Sequence, residues 1–416
     1  MRLNTLIKMS NNTWKYTLVI KILSVIFIAL SFYTIGCADD PSSLGLNFIP
    51  PGETTGVRIF DSYIDTMQIT STNIRKYVNT STSVNLMVGI NGSYNAKGLI
   101  RFGGLSGDYD SATVNSATLT LSYRNYYFPA SATDSLGQIA FDIFKINQNL
   151  NFSTITLDSV NSSTFGTTPQ GSYTGSPTAD SQQITISLNT SMVKDWLEYA
   201  ADTSYQNKNY GIVLSPTGAS AVIKAFYSGA ISENVRPKLT IIVTKNNDTD
   251  TLVTTGSATV SLVNASITPS SETFSLQAGV SYVQTMRFNL SKIPSTATIN
   301  DVQLYLTLDS VNSKFSKQTS FSIAAQYISD TAGLVTDGFS FSGSPSGNGQ
   351  YLIRVISNFQ ASPFQRWLLG AANYGIMLRA ANQFTNLDLF TFYNITASDP
   401  NKRPRVIIKY TPRVTP

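Results

Sequence analysis

The chain has 416 residues, 42% hydrophobic and 13% charged, with one cysteine and no histidine, a length that holds two or three domains with separate cores. Its net charge of +5 is misleading, because Arg2, Lys8, Lys15 and Lys21 precede residue 37 and no acid does, leaving 25 basic and 24 acidic residues. That balance gives no electrostatic footprint for nucleic acid, and a single cysteine excludes an intramolecular disulfide.

The N-terminus reads as an address. An apolar run from Ile22 to Ile35 follows Lys15 and Lys21. It is shorter than the roughly 20 residues of a membrane span but suits the core of a signal peptide over residues 1–36. The run ends in Thr34-Ile35-Gly36-Cys37, which resembles a bacterial lipoprotein signal with Thr34 in place of the usual Leu. The resemblance implies lipidation of Cys37 and attachment to the outer membrane. Met9 is an alternative start. Asp39 and Asp40 resemble the surface-export signal of Bacteroidetes-type lipoproteins, which implies an outward-facing protein; the other reading makes them the start of a solvated tether. Residues 37–56, with Pro41, Pro50 and Pro51, form that tether.

From Val57 the pattern is that of short strands. Leu119, Leu121 and Tyr123 alternate within 114–123, and residues 139–146 alternate through either Ala140 or Phe141. Ile184, Ile186 and Leu188 form another strand, and residues 238–244 a further one. Between them Met192, Val193, Trp196 and Leu197 share a helical face behind the cap candidates Thr190 and Ser191. Residues 246–256 read as a polar linker. The second half repeats the plan, with strands at 298–308, 321–327, 351–356, 374–378 and 405–410. Its helix has Ser362 as cap, Pro363 in the first turn, Phe364, Trp367 and Leu368 on one face, and Gly370 as terminator. Both tryptophans, Trp196 and Trp367, read as core anchors. The Gly/Ser-rich stretches 161–183 and 329–350 read as long loops.

The halves also match in wording. Asn209-Tyr210-Gly211-Ile212 returns as Asn373-Tyr374-Gly375-Ile376, each downstream of a Trp-Leu pair. Arg101-Phe102 answers Arg287-Phe288, Tyr173 to Thr178 answers Phe341 to Ser346, and Arg236-Pro237 answers Arg403-Pro404. Ordered matches of this kind indicate duplication. The expected fold is all-β: two tandem antiparallel β-sandwich (jelly-roll-like) modules, 57–245 and 257–411, each with one short helix.

In the second module, Ser291-Lys292-Ile293-Pro294 leads into residues 297–306, followed by Trp367, Asn373-Tyr374-Gly375-Ile376 and Arg403-Pro404. This order resembles the DNRLRE-type β-sandwich domain, which implies a secreted protein and, as in some members, polysaccharide binding. The first module matches more loosely. The stretch 43–51, with Asp65-Thr66 after it, is similar to the start of an uncharacterised group of Bacteroidetes surface lipoproteins. Neither resemblance supplies catalytic residues.

The residue inventory argues against catalysis. Without histidine, Ser-His-Asp, Cys-His and ordinary zinc sites cannot be assembled. A glycosidase needs two apposed carboxylates, yet there are only four Glu (Glu53, Glu198, Glu233, Glu272). Asp108 and Asp110 read as turn residues rather than calcium ligands, and no cofactor is expected. Tyr126, Tyr127 and Phe128 are consecutive on a strand, so they cannot all face one core and at least one is expected in solvent. With Tyr173 and Phe341 they are the candidates for a ligand contact. Seven Asp-Ser/Thr-apolar triplets resemble the O-glycosylation acceptor of Bacteroidetes-type envelope proteins, which would place sugars on Thr66, Ser111, Ser135, Ser159, Thr251, Ser310 and Thr331. Two functions remain: non-catalytic binding of extracellular glycan, or docking as an accessory lipoprotein on an outer-membrane protein complex.

Overall fold

The structure, a computed structural model, describes residues 56–131, 136–267, 270–355 and 363–413. The signal peptide, Cys37, the tether and Ser135 therefore lie outside the described residues. Among the described residues no helix is long and apolar enough to cross a membrane.

In chain order, strands β1 (Arg58–Asp61) and β2 (Ile69–Arg75) come first. The next group is β3 (Asn85–Asn91), β4 (Tyr94–Phe102), β5 (Thr113–Phe128), β6 (Ile139–Lys145), β7 (Gly171–Gly175) and β8 (Gln183–Ser187). Helix α1 (Thr190–Ala201) precedes β9 (Ile212–Pro216), β10 (Ile223–Tyr227), β11 (Lys238–Lys245) and β12 (Asp248–Asn264). Then follow β13 (Thr273–Gln277), β14 (Tyr282–Phe288), β15 (Thr298–Thr307), β16 (Ile323–Asp330), β17 (Val335–Gly347) and β18 (Gln350–Arg354). Helix α2 (Pro363–Leu368), β19 (Ile376–Ala380), β20 (Leu389–Tyr393) and β21 (Arg405–Thr411) complete the chain.

These strands make two antiparallel networks, each wrapped about its own apolar core as a β-sandwich. The first runs β12-β11-β5-β10-β3-β4-β9-β6-β7, with β8 on β5; the second runs β1-β21-β15-β18-β17-β16-β19-β14-β13-β20, with β2 on β14. The period-2 runs fold as their spacing predicts. Leu119, Leu121 and Tyr123 are buried in the first core, and Ile139, Phe141 and Ile143 resolve the ambiguity of β6 in favour of Phe141. Helix α1 buries Met192, Val193, Trp196 and Leu197, but its cap is Asn189, whose Oδ1 accepts from the Ser191 N–H at 2.9 Å.

Module boundaries differ from the tandem expectation in two places. Residues 246–256 are no linker: Asp248 to Thr255 pair along β11, and the same strand continues along β4 from Gly256 to Asn264. Conversely β1 and β2 belong to the second module, β1 pairing β21 and β2 pairing β14. The two departures are one relationship. The position that β12 occupies in the first module, along β11 and then β4, is occupied in the second by β1 along β21 and then β2 along β14. One module takes this segment from the chain that follows it, the other from the chain's beginning. Both expected long loops also contain strand: β7 pairs β6, and β17 pairs β16 and β18.

The repeated Asn-Tyr-Gly is a clasp between strands. Asn209 Nδ2 donates to Phe102 O at 3.1 Å, and Asn373 Nδ2 to Phe288 O at 2.8 Å. Gly211 (φ +99°) and Gly375 (φ +84°) lie so close to the facing strand that a Cβ would sit 2.3 Å from Ile100 O or 2.2 Å from Met286 O. Only glycine fits that φ and that approach.

A third apolar cluster joins the modules. Met87, Tyr94, Tyr126, Phe128, Ile223 and Val263 of the first pack with Val280 and Leu387 of the second. Tyr94 Oη donates to Gln277 Oε1 at 2.8 Å, and the Leu387 N–H donates to Tyr126 Oη at 2.9 Å. Each fully buried large apolar side chain contributes roughly 1.5–3 kcal/mol and each hydrogen bond a net of about 0.5–1.5 kcal/mol. Apolar burial is therefore the larger part of what holds the modules together.

Candidate binding site in the second module

The aromatic candidates are not where the alternation argument put them. Tyr127 points into the first core, while Tyr126 and Phe128, both fully buried, point into the cluster between modules. Neighbours do alternate; the face opposite the core is covered by the second module instead of water, so none of the three rings is offered to a ligand. Tyr173 and Phe341 occupy equivalent half-buried places. Tyr173 lies 5.5 Å from the Phe141 ring, and Phe341 packs edge-on against Tyr327 at 5.2 Å. Of the acceptor triplets, Thr66, Ser111, Ser159, Thr251, Ser310 and Thr331 are all exposed.

The buried carboxylates serve local structure. Asp388 accepts from the Ser316 N–H at 2.7 Å, Asp309 from the Val311 N–H at 3.1 Å, and Asp61 is held by Arg405. Asp108 accepts from Ser106 Oγ at 2.7 Å, and Asp110 pairs with Lys245 at 2.7 Å. Among the described residues no group of three acids or cysteines is placed to hold a metal ion.

A cleft of about 780 Å³ opens in the second module where β14 ends, bordered by β2 and α2. Gln68, Arg287, Asn289, Lys292, Trp367 and Asn373 carry its chemistry, and among the described residues no Asp or Glu lines it. Its shape follows from local folding. Residues 289–297 leave β14 through two turns, with the Asn289 N–H donating to Gln68 O at 3.0 Å and the Ile293 N–H to Leu290 O at 2.9 Å. Short α2 buries Phe364 and Leu368 but leaves Trp367 half-buried, its indole 4.8 Å from Phe364 and 5.9 Å from Tyr327. The Gly370 N–H donates to Trp367 O at 3.1 Å, ending the helix with Gly370 at φ +95°.

Arg287 is exposed and has no ion pair or hydrogen-bond partner among the described residues. Lys292 donates to the Asp65 main-chain carbonyl at 2.5 Å, while the Asp65 carboxylate accepts from the Asp61 N–H at 2.7 Å. Asn373 spends its amide on Phe288 O, and its buried Oδ1 has no partner among the described residues. The cleft thus presents an aromatic ring, two cations and the amides of Gln68 and Asn289, the kind of mixed lining that orients a polar ligand. Sequence periodicity assigned Trp367 to the core and gave Arg287 and Asn373 no role beyond marking the repeat.

Comparisons with protein families, with curated proteins and with solved structures return no match.

Proposed function

We propose that this chain is a non-catalytic lipoprotein of the outer membrane, anchored through Cys37 and facing outward, that binds extracellular glycan through its β-sandwich modules. The observation that carries the ligand class is the second-module cleft, where the half-buried Trp367 indole lies beside Arg287, Asn289 and Asn373. An indole supplies apolar area to a sugar ring, while amides and a guanidinium match its hydroxyls. Among the described residues the cleft lining offers cations, amides and an indole in place of the carboxylate pair that glycoside cleavage uses, which is in keeping with binding. The lipoprotein signal resemblance supports the address, and the DNRLRE resemblance is in keeping with polysaccharide binding.

A polysaccharide pull-down with the purified chain and its Trp367→Ala variant tests the reading. Saturable binding by the native chain that the variant loses, while the variant retains a cooperative melt, is the expected result. If no polysaccharide binds, glycan binding is wrong. The second reading, docking on an outer-membrane protein complex, draws on Val335 and Phe339, which are exposed on β17 at 50% and 59%; it predicts stoichiometric co-purification with such a complex.

A further inference from the structure

The duplicated module provides its own control. Arg101, Phe102, Trp196 and Asn209 of the first module answer Arg287, Phe288, Trp367 and Asn373 of the second. In the first module that set is sealed. Arg101 Nη2 donates to Leu150 O at 2.7 Å and to Asn149 Oδ1 at 3.2 Å, and its guanidinium lies 4.7 Å from the Phe152 ring. Trp196 is only 1% exposed, and Asn209 Oδ1 accepts from the Gly211 N–H at 3.2 Å. The cover over Arg101 is part of the connection between β6 and β7, residues 146–170, which packs Leu150, Phe152 and Ile155 down on the sheet.

In the second module the corresponding connection, between β16 and β17, is residues 331–334 alone. With no such cover, the same four residues surround an open cleft. The Arg287 guanidinium is free among the described residues, and Lys292 adds a second cation. In the first module the chain's own carbonyls, Leu150 O and Asn149 Oδ1, supply the oxygens that the guanidinium takes. Whatever fills the open cleft must supply acceptor oxygens to Arg287. Two cations, with no lining acid among the described residues, favour acceptors that carry formal negative charge.

Building on the glycan reading, we infer that the second-module cleft takes an acidic saccharide, with a carboxylate or sulfate on Arg287 and Lys292 and the ring against Trp367. The first-module copy of the site is closed by its own chain and binds nothing.

Calorimetric titration of the full chain tests this with polygalacturonate, chondroitin sulfate and a neutral galactan, at low and physiological salt. The expected result is saturable binding to at least one acidic polymer and none to galactan. Arg287→Gln should weaken that binding tenfold or more, as loss of a charge-assisted contact implies, and salt should weaken it too. Because Arg287 is exposed, this variant keeps its fold, and Arg101→Gln should bind as the native chain does. Equal binding of galactan and acidic polymers, unchanged in Arg287→Gln, would overturn the acidic assignment and leave glycan binding standing. Failure of every polymer would overturn both. Preference for uronate over sulfate, or the reverse, would say which acid the site takes.

Discussion

Asp61 and Arg405 lie 344 positions apart and meet as a two-pronged pair, Arg405 Nε donating to Asp61 Oδ1 at 3.0 Å and Nη2 to Oδ2. This pair pins the first described strand to the last, across the register Asp61↔Ile407. The second module is therefore complete only when the start of the chain returns to its end.

Asp61→Asn should loosen that closure. Hydrogen bonds to charged groups contribute about 1.5–3 kcal/mol, and Arg405 retains some exposure, so the expected loss is about 1–2 kcal/mol by chemical denaturation. Arg405 holds the Asp61 carboxyl below its ordinary value of 3.8. A depressed carboxylate stabilises the fold above its unfolded pKa, and this contribution disappears as pH falls below 3.8 through the folded value. Asp61→Asn should accordingly flatten the acid limb of the stability profile.

At the module junction, Tyr126→Phe removes the acceptor of the Leu387 N–H while keeping the ring. A buried donor left without a partner costs about 1–3 kcal/mol. The expected outcome is that loss in thermal or chemical unfolding, with polysaccharide binding unchanged; weakened binding at full stability would place the ligand at the junction instead.

The alkaline limb should have a maximum. Lys224 is fully buried, donates to Pro177 O at 2.7 Å, and is pushed down from 10.5 to about 8 by burial. Lys97 is shifted in the same direction. With its folded pKa below the unfolded one, Lys224 makes stability rise from about pH 8 toward 10.5, because the unfolded chain then holds more protons. Tyr94, Tyr123 and Tyr126 are pushed well above 10 by burial. Their contribution is present below pH 10 and is lost above it. Denaturation midpoints between pH 7 and 11 should rise and then fall, and Lys224→Met should remove the rise.

Gly211→Ala and Gly375→Ala each place a Cβ within 2.3 Å of a facing carbonyl at positive φ. Left-handed strain alone costs about 1–2 kcal/mol, and the clash adds to it, so both variants should lose more than about 2 kcal/mol in a denaturation curve. Gly338→Ala is a gentler comparison: it has positive φ but open space around it.

The fold was legible wherever periodicity met a single core. The alternation of Leu119, Leu121 and Tyr123 and the amphipathic α1 report local geometry, which neighbouring residues encode, whereas the repeated Asn-Tyr-Gly marked the duplication without revealing the clasp it makes with a distant strand. Non-local pairing was not legible. Nothing in residues 58–75 distinguishes a strand of the following module from one of the second, and the Thr/Asp-rich 248–256 resembles a linker because β12 is exposed there on one face. Tyr126 and Phe128 misled for a related reason: alternation says which face a ring is on, but not what covers that face. The cleft was hidden by the same limit. Trp367 has the helical spacing of a core residue, and only the brevity of 331–334 beside 146–170, visible once strands are assigned, marks the second copy as open.

The most direct test uses the indoles themselves. Outside the signal region the chain has two tryptophans, Trp196 buried and Trp367 half-buried in the cleft, so intrinsic fluorescence can be assigned by substitution. Titration with an acidic polysaccharide should give a saturable change that survives Trp196→Phe and is lost in Trp367→Phe. A saturable change that instead follows Trp196, or binding whose affinity is the same in Trp367→Phe and Arg287→Gln as in the native chain, would contradict a ligand site in the second-module cleft.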